Sequence, residues 1–207
     1  MIEVNSLSYE KILHSISFST PQGSSLAVIG HNGAGKTTLF HVLLGLKHKS
    51  SGNFHVHESK LGFVPERPYL SMDDVFEDFL RLHLNLISFP KADQNLEILR
   101  VAQSVGLVDQ LRLKFDKFSK GMLQKALLAQ ALLGSPRLVV LDEPLSGLDP
   151  ESRLEAKKKL IELKQKGVTL IFSSHIMEDV VELADYVLIL DHGKQSFFGR
   201  TQEWRSK

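Results

Sequence analysis

The chain has 207 residues, of which 43% are hydrophobic and 24% are charged, and these values are typical of a single packed globular unit. Lysine and arginine total 25 and aspartate and glutamate total 24, so the net charge of +1 gives no electrostatic reason to expect nucleic acid as a partner. The sequence contains no cysteine, which excludes disulfides, thiolate metal sites and cysteine nucleophiles.

The sequence gives no sign that the chain itself enters a membrane. Its first residues lack a basic start followed by an apolar run, so no secretory signal is expected. No apolar stretch approaches the ~18 residues that a membrane-spanning helix needs. Any membrane role would therefore belong to a partner, and the lack of cysteine is compatible with the cytosol.

The first third of the chain predicts short strands and one helix. Strands are predicted at residues 15–18, 25–29, 53–57 and 61–64. The run Leu26-Ala27-Val28-Ile29 is apolar throughout and ends at a glycine, which is typical of a strand buried on both faces. A helix is predicted over residues 35–44, with Gly45 as its terminator.

A phosphate-binding loop is indicated between that strand and that helix by Gly30-His31-Asn32-Gly33-Ala34-Gly35-Lys36-Thr37, which matches G-x-x-x-x-G-K-[ST] in full. Such a loop wraps a triphosphate with backbone N–H groups, and the following helix directs its positive end at the phosphates. Lys36 is predicted to hold the β- and γ-phosphates and to serve catalysis, and Thr37 to bind Mg²⁺. The candidate nucleotide contacts are Gly30, Asn32, Gly33, Gly35, Lys36, Thr37 and Thr38.

The middle of the chain, from about residue 72 to 133, predicts helices. In the first helix, apolar residues recur at a spacing that indicates one buried face: Val75, Phe79, Leu82 and Leu86. The second helix repeats this spacing: Leu96, Leu99 and Ala102. A third helix is predicted over residues 121–133. Val75, Phe76 and Phe79 either pack in the core, which the spacing favours, or form a docking surface.

The last third returns to alternating strands and helices. Strands are predicted at residues 138–141, 169–172, 187–190 and 195–198, the last pair joined by a hairpin turn at Asp191-His192-Gly193. The helices between them are predicted to begin near Pro150 and Ile176. We therefore expect a single domain over residues 1–207, with a catalytic core formed by 1–66 and 137–207 and a helical subdomain, 67–136, inserted into it.

Two acids follow the predicted strand at residues 138–141. Parallel sheets bind ligands at the carboxyl ends of their strands, so Asp142 and Glu143 should face the phosphate loop if the two strands share a sheet. Neighbouring residues on an extended strand point in opposite directions, which predicts different roles for the two acids. Asp142 is predicted to hold Mg²⁺, and Glu143 to orient the attacking water or to accept its proton. The alternative is that Asp142 only caps a turn before Pro144.

With these features, three further segments resemble the ATP-binding cassette (ABC) family. Phe118-Ser119-Lys120-Gly121-Met122-Leu123-Gln124-Lys125 lies where the family keeps its signature motif. Ser146-Gly147-Leu148-Asp149-Pro150 resembles its D-loop, and Ser173-Ser174-His175 resembles the segment of its switch histidine. The resemblance covers essentially the whole chain and implies an α/β fold: a P-loop NTPase core with a RecA-like, mainly parallel sheet, an N-terminal antiparallel β part and an inserted helical subdomain.

The resemblance also implies roles for single residues. Ser119, Gly121 and Asp149 would contact the nucleotide, His175 would act in catalysis, and Tyr9 would stack on adenine. Taken alone, the same residues have simpler interpretations. Ser119 and Asp149 are good helix N-caps, and Asp149 precedes a proline suited to a first helical turn. His175 could be a satisfied polar residue at a strand end, and Tyr9 an ordinary surface or core tyrosine.

The sequence departs from the family pattern at two places. Glu66 stands where the family usually has a glutamine that contacts Mg²⁺ and the attacking water. A carboxylate can also bind Mg²⁺, so Glu66 is a candidate metal ligand, although it adds negative charge beside the phosphates. Lys120 and Met122 replace the usual glycine and glutamine of the signature. This variant is similar to bacterial exporter-type members, which pair with separate membrane subunits.

The implied mechanism uses two such subunits that face each other head to tail. Each ATP, with Mg²⁺, would lie between the phosphate loop of one subunit and the signature helix of the other, so ATP favours the closed pair. The second subunit could be a copy of this chain or a different one. An integral membrane permease is the expected third partner, which would place the chain on the cytoplasmic face of the membrane.

Three alternatives remain at this stage. The chain could be an ABC-type ATPase that serves DNA repair, ribosomes or cofactor assembly instead of transport. It could be a phosphate-loop kinase, which would require an acceptor pocket. It could also be a regulatory nucleotide binder without hydrolysis, although possession of Glu143 and His175 argues against this.

Overall fold

A nine-stranded sheet forms the centre of the computed structural model, which describes residues 1–58 and 60–205. Its strands are β1 (Ile2–Tyr9), β2 (Leu13–Thr20), β3 (Ser25–Ile29), β4 (Ser51–Val56), β5 (Leu61–Val64), β6 (Leu138–Leu141), β7 (Thr169–Ser174), β8 (Tyr186–Asp191) and β9 (Lys194–Arg200). The helices are α1 (Lys36–Leu43), α2 (Phe76–Leu86), α3 (Gln94–Val105), α4 (Lys120–Ala131), α5 (Pro150–Gln165), α6 (Met177–Leu183) and α7 (Thr201–Arg205). Each strand and helix whose bounds were predicted from the sequence is present, with ends that differ by at most two residues.

The strand order confirms the predicted fold class. The order is β4-β1-β2-β9-β8-β3-β7-β6-β5. Strands β8, β3, β7, β6 and β5 run parallel, and β9 is antiparallel to β8. At the other side of the sheet, β1 pairs antiparallel with both β2 and β4. The carboxyl ends of β3, β7 and β6 therefore lie side by side, and this edge of the sheet carries the candidate site.

Strand β3 is buried along its whole length, as its unbroken apolar run predicted. Ala27 and Ile29 belong to a core cluster shared with the helices of the middle and C-terminal parts of the chain. Leu26 and Val28 face the opposite side, where they join a second cluster with α1 and the N-terminal strands. Because both faces of the strand are packed, the loop that follows it stands on a rigid base.

The helices α2, α3 and α4 lie between β5 and β6 in the chain, and α2 packs on a face different from the predicted one. Its buried residues are Phe76, Phe79, Leu80 and Leu84. Leu82 and Leu86 are 55% and 71% exposed, so the prediction that both belong to the buried face was wrong. The reason is aromatic packing: the rings of Phe76 and Phe79 pack against Phe115, with centroids 6.1 and 5.2 Å away. The core interpretation of Phe76 and Phe79 is therefore confirmed, while Val75 is half-buried.

Helix α3 shows the same kind of difference. Leu96 is 70% exposed and Leu99 is 38% exposed, whereas Ala102 is buried as predicted. The buried apolar face instead runs through Ile98, Val101, Ala102 and Val105. Both helices carry apolar residues on two sides, so spacing alone could not select the buried side. Among the helices that the structure describes, none has the length and apolar character needed to cross a bilayer.

A partly buried ion pair, between the buried Glu97 and the half-exposed Arg100, connects α3 to the end of α4. Glu97 accepts hydrogen bonds from the Arg100 guanidinium at 2.6 Å and from the Gly134 backbone N–H at 2.7 Å. Arg100 also donates to the Leu132 carbonyl at 2.8 Å, just beyond the end of α4. Burial acts to raise the pKa of Glu97, but the hydrogen bonds from Arg100 and Gly134 outweigh it, so the pKa of this carboxyl is lowered.

We expect Glu97→Gln to lower the free energy of unfolding by about 1–3 kcal/mol near neutral pH, because a charged hydrogen-bond acceptor is lost beneath the helical layer. A carboxyl with a lowered pKa stabilises the folded state above its unfolded pKa, and this contribution is lost as the pH falls through the folded pKa. The difference in the free energy of unfolding between wild type and Glu97→Gln should therefore disappear in acid. Urea unfolding at several pH values measures this difference.

The matched control for this measurement is Glu162→Gln. Glu162 also forms a salt bridge three residues away on its helix, with Lys159 at 3.0 Å, but it is exposed to solvent. Water and salt screen such a pair, so the control should leave the stability nearly unchanged. A Glu97→Gln protein as stable as the wild type at neutral pH, or a difference that does not shrink in acid, would contradict the assignment.

Candidate nucleotide-binding site

The phosphate loop joins the buried strand β3 to helix α1. Gly33 and Gly35 have φ angles of 83° and 105°, in the left-handed region that glycine adopts readily. A Cβ atom on Gly35 would lie 2.8 Å from Leu13 Cδ2, so this position also lacks room for a side chain. The loop is therefore held against the N-terminal strands, with α1 starting directly behind it.

Lys36 is the first residue of α1, and its side chain is only 8% exposed. Its ammonium group donates to the Gly30 carbonyl at 2.8 Å and lies 3.4 Å from the His31 carbonyl oxygen. The Nζ atom also lies 3.7 Å from Glu143 Oε1. The lysine therefore bridges the start of the phosphate loop and the acid that follows β6, with its charge largely shielded from water.

Thr37 and Asp142 form the second part of the site. The Thr37 hydroxyl donates to Asp142 Oδ2 at 2.5 Å, and the Ser173 hydroxyl donates to Asp142 Oδ1 at 2.6 Å. Ser173 Oγ in turn accepts the backbone N–H of Glu143 at 2.7 Å. Asp142 is 1% exposed, so these two hydroxyls fix the carboxylate in a buried position.

Glu143 diverges from Asp142 for a reason that the sequence did not predict. Strand β6 ends at Leu141, so the alternation of an extended strand does not reach the two acids. Instead, Glu143 has a φ angle of 50°, in the left-handed region that is uncommon for a residue with a side chain. This backbone turn directs its carboxylate towards Lys36 and His175. The two acids contact different groups while lining the same cavity, so the alternation expected of an extended strand was wrong here, and their separate roles stay a prediction.

The two carboxylate oxygens of Glu143 have different surroundings. His175 Nδ1 lies 3.0 Å from Oε2, and the side chain of Glu143 is 11% exposed. Oε1 is buried, and within the described part of the chain no group forms a hydrogen bond with it. A buried acceptor without a donor costs free energy, so such an atom is typical of a functional site where a ligand or water completes the bonding.

These groups line an open cavity of about 580 Å³. Its lining combines the phosphate loop, the acids after β6, the end of β7 and the junction after β5: Ile12, Asn32, Gly33, Gly35, Lys36, Thr37, Thr38, Glu66, Arg67, Asp142, Glu143, Ser146 and His175. Gly30 is not among them, but its carbonyl anchors Lys36. Sequence reasoning missed Ile12 and Arg67, and it identified Ser146 as part of the D-loop segment but not as a site residue. The sequence signal for Arg67 is its position directly after Glu66. In the structure, Arg67 Nε lies 4.0 Å from Glu66 Oε1.

The oxygen atoms on one side of the cavity suit a small divalent cation. The Thr37 hydroxyl and the Asp142 carboxylate are already in contact, and Glu66 lines the same cavity. Mg²⁺ prefers a hydroxyl and one or two carboxylates, together with waters and substrate phosphates, and this set offers those protein ligands. The residues therefore fit a Mg²⁺ ion beside a bound triphosphate.

Comparison with known proteins assigns the family. The profile of the ABC transporter family matches residues 13–146, a segment that includes the phosphate loop and both acids. The chain belongs to the ABC transporter family. This confirms the resemblance found in the sequence.

Individual ABC proteins support the same assignment. An uncharacterized ABC transporter ATP-binding protein from Nostoc sp. is 36% identical over 203 residues, which cover 92% of this chain and 60% of that protein. The lantibiotic transport ATP-binding protein SrtF of Streptococcus pyogenes is 34% identical, with 94% of this chain and 88% of that protein covered. A solved structure of an ATP-binding subunit of an ABC transporter superposes with a TM-score of 0.86 at 28% identity, covering 99% of this chain and 92% of the other. The chain spans only 60% and 54% of the length of two of the most similar curated relatives.

Ser119 and Gly121 of the signature segment and Asp149 of the D-loop segment do not line the cavity, whereas Ser146 of the D-loop segment does. Ser119 caps α4 by accepting the Met122 backbone N–H at 3.2 Å, and Asp149 caps α5 by accepting the Ser152 N–H at 2.9 Å. Both capping interpretations are confirmed. A Cβ atom on Gly121 would lie 2.3 Å from Ser152 Oγ, so the two helix N-termini pack closely together. Hydrogen bonds from Ser152 lower the pKa of Asp149.

Tyr9, the candidate adenine platform, does not line the cavity. The ammonium group of Lys47 lies over its ring, 5.1 Å from the centroid, which is a cation–π contact. The structure therefore brings together the phosphate loop, Asp142, Glu143, His175 and Glu66. It leaves Tyr9, Ser119, Gly121 and Asp149 outside this group, and their roles toward nucleotide stay predictions.

Proposed function

We propose that the chain is the ATP-binding and ATP-hydrolysing subunit of an ABC transporter, with Mg²⁺ as its cofactor. The observation that carries this proposal is the convergence of Lys36, Glu143 and His175 on one cavity that also contains the Thr37–Asp142 pair. A cation at a phosphate loop and an acid that can position water are groups that phosphoryl transfer to water uses, and the imidazole of His175 contacts that acid.

The phosphates of ATP would replace the intramolecular partners of Lys36. The ammonium group is now held by backbone carbonyls and lies near Glu143, so it is oriented before the nucleotide arrives. Thr37 and Asp142 would hold Mg²⁺, with Glu66 as a further candidate ligand. When bound, Mg²⁺ neutralises charge on the β- and γ-phosphates. The N-terminus of α1 adds the favourable field of its backbone dipoles.

Glu143 is proposed to activate the attacking water. Its buried Oε1 atom forms no hydrogen bond with the described residues, so it can accept one from a water beside the γ-phosphate. His175 contacts the other carboxylate oxygen, at 3.0 Å, and thereby orients the acid. Lys36 provides positive charge on the same side, where negative charge develops during transfer.

A second subunit is proposed to complete the site. Ser119, Gly121 and Asp149 do not line the cavity of their own chain. The exposed N-terminus of α4 is a suitable place for a γ-phosphate, because its free backbone N–H groups favour an anion. In a head-to-tail pair, the α4 tip of one subunit would face the phosphate loop of the other. The partner is either a second copy of this chain or a related subunit.

We further propose that two parts of a single domain have different roles. Residues 1–66 and 137–207 would form the catalytic core, and the helical subdomain, 67–136, would pass the motion to an integral membrane permease on its cytoplasmic side. Export is the supported direction, because relatives at 34% and 31% identity are named for lantibiotic transport and linearmycin resistance. The Lys120 and Met122 variant of the signature agrees with this direction.

The proposal is tested by measuring free phosphate and by identifying the co-purifying partner. Purified protein with ATP and Mg²⁺ should release inorganic phosphate without any added acceptor. Detergent extracts of native membranes should yield a polytopic membrane protein bound to the chain. Phosphate transfer to a small molecule in place of release would favour a kinase, and co-purification with ribosomes or DNA would overturn the transport role.

A further inference from the structure

Two histidines and one aspartate meet on the surface beside the phosphate loop, and the mechanism above does not use them. His31 belongs to the loop, Asp191 is the last residue of β8, and His192 begins the turn between β8 and β9. Their ligand atoms, one from each side chain, all lie within 4.8 Å of one another. Among the residues that the structure describes, these three side chains form the group of histidines and acids that could hold one metal ion.

We propose that this cluster binds a divalent transition metal of the Zn²⁺ class and that the metal ties the phosphate loop to the β8–β9 turn. His31 Nε2 lies 3.4 Å from Asp191 Oδ1, and His192 Nε2 lies 3.8 Å from the same oxygen. Ligands at Zn–N and Zn–O distances of about 2.0–2.2 Å in a tetrahedron are separated by about 3.3–3.5 Å. Small side-chain rotations would therefore bring all three groups around one ion.

The hydrogen bonding of His31 prepares its ring for a metal. Nδ1 lies 2.8 Å from the Asn32 backbone carbonyl, which can only accept, so Nδ1 carries the proton. In the neutral ring, Nε2 then presents its lone pair towards Asp191. Metal-binding histidines are commonly fixed by such a bond from the other ring nitrogen to a backbone carbonyl.

A shared metal also explains the cluster better than a pair of protonated rings. The ring centroids of His31 and His192 are 4.6 Å apart, so two imidazolium charges would repel each other. A metal requires both rings to be neutral and supplies the positive charge that the Asp191 carboxylate attracts. Imidazole nitrogens favour Zn²⁺, Cu²⁺ or Ni²⁺ over Mg²⁺, so the nucleotide's own cation would not compete for this place.

The end of β8 and the turn after it, which together carry two of the ligands, are held firmly. The Gly193 N–H donates to the Ala34 carbonyl at 3.0 Å, and the Gly193 carbonyl accepts the His14 N–H at 2.8 Å. Gly193 has a φ angle of 74°, and a Cβ atom there would lie 1.8 Å from the Ile12 carbonyl oxygen. Since the backbone already joins the turn to the loop, little ordering is required of the ligands when a metal binds.

The test is zinc titration of untagged, nucleotide-free protein by calorimetry, with wild type compared with His192→Asn. Wild type should bind one Zn²⁺ per chain, and the variant should bind at least roughly tenfold more weakly, because loss of even an outer-shell partner of a metal commonly costs 10- to 100-fold. Asparagine adopts the left-handed backbone of this position, where φ is 45°, so the variant should fold normally. Circular dichroism checks this.

Two further variants identify the site. His48→Asn removes an exposed histidine from a loop outside the cluster and should leave zinc affinity unchanged. His55 on β4 and His57 just after it, with ring centroids 6.3 Å apart, form a competing pair, and their double replacement by glutamine should also have no effect. Wild-type protein should melt at a higher temperature with ZnCl₂, and His192→Asn should not. Equal zinc affinity in wild type and His192→Asn, or loss of binding only in the β4 double variant, would overturn the proposal.

Discussion

Lys36→Ala is expected to lower ATP affinity by roughly 100-fold or more and to abolish hydrolysis, because this side chain is proposed to supply the positive charge nearest to the phosphates. The lysine is nearly buried, and its ammonium group is already oriented by the Gly30 carbonyl. A charge fixed in a poorly hydrated place acts more strongly than the same charge in water. Fluorescent-nucleotide titration and phosphate release measure the two losses separately.

Lys11→Ala is the matched control for this experiment. Lys11 is an exposed lysine beside the cavity-lining residue Ile12, so its removal changes the net charge equally but leaves the phosphate position untouched. Binding and hydrolysis should remain close to the wild type. If Lys36→Ala bound ATP normally, or if both variants lost activity to the same extent, the assignment of Lys36 would be contradicted. Thermal melting of each variant shows whether it is folded.

Glu143→Gln should bind ATP but hydrolyse it about 10²- to 10⁴-fold more slowly, because an amide of the same shape cannot accept the proton of the attacking water. The His175 contact at Oε2 and the packing of the side chain should survive the change. Bound ATP would then persist between the phosphate loop and the partner's α4 tip. The variant should therefore accumulate as an ATP-dependent dimer, which light scattering after gel filtration measures with and without ATP and Mg²⁺.

The control is Glu178→Gln, which alters an exposed acid in the first turn of α6, three residues from His175. It should hydrolyse ATP at the wild-type rate and show no trapped dimer. A Glu143→Gln protein that binds ATP but stays monomeric at saturating ATP and Mg²⁺ would exclude the head-to-tail sandwich. A Glu143→Gln protein that hydrolyses ATP at the wild-type rate would exclude Glu143 as the general base. Trapping an ATP-bound dimer would then require changes at other residues.

The neighbourhood of Glu143 shows how far sequence reasoning could go. The pattern placed two acids after a buried strand and indicated that they face the phosphate loop. It could not show that β7 lies between β3 and β6, because strand order depends on long-range pairing. As a result, Ser173 of β7 provides the hydroxyl that connects Asp142 to the Glu143 backbone. The left-handed backbone at Glu143 likewise has no local signal in the sequence.

Local sequence patterns could not predict which side of α2 is buried, for a different reason. Helical spacing is satisfied both by the stripe that includes Leu82 and Leu86 and by the stripe that includes Phe76 and Leu80. The choice was made by Phe115 and Phe118, which approach from a distant part of the chain and pack against Phe76. Contact with a partner ring buries one stripe, and the other remains exposed.

Sequence patterns were sufficient to predict the phosphate loop, the two acids and the strands and helices other than β1 and α7, because each depends on residues that are close together in the chain. The family followed from the order of several such motifs along the chain. The three-dimensional structure was needed to show which groups from separate segments meet: Ser173 with Asp142, His175 with Glu143, and His31 with Asp191 at the end of β8. Local patterns fix backbone conformation and burial within a segment. Contacts between segments depend on the sheet order, and no short stretch of sequence encodes that order.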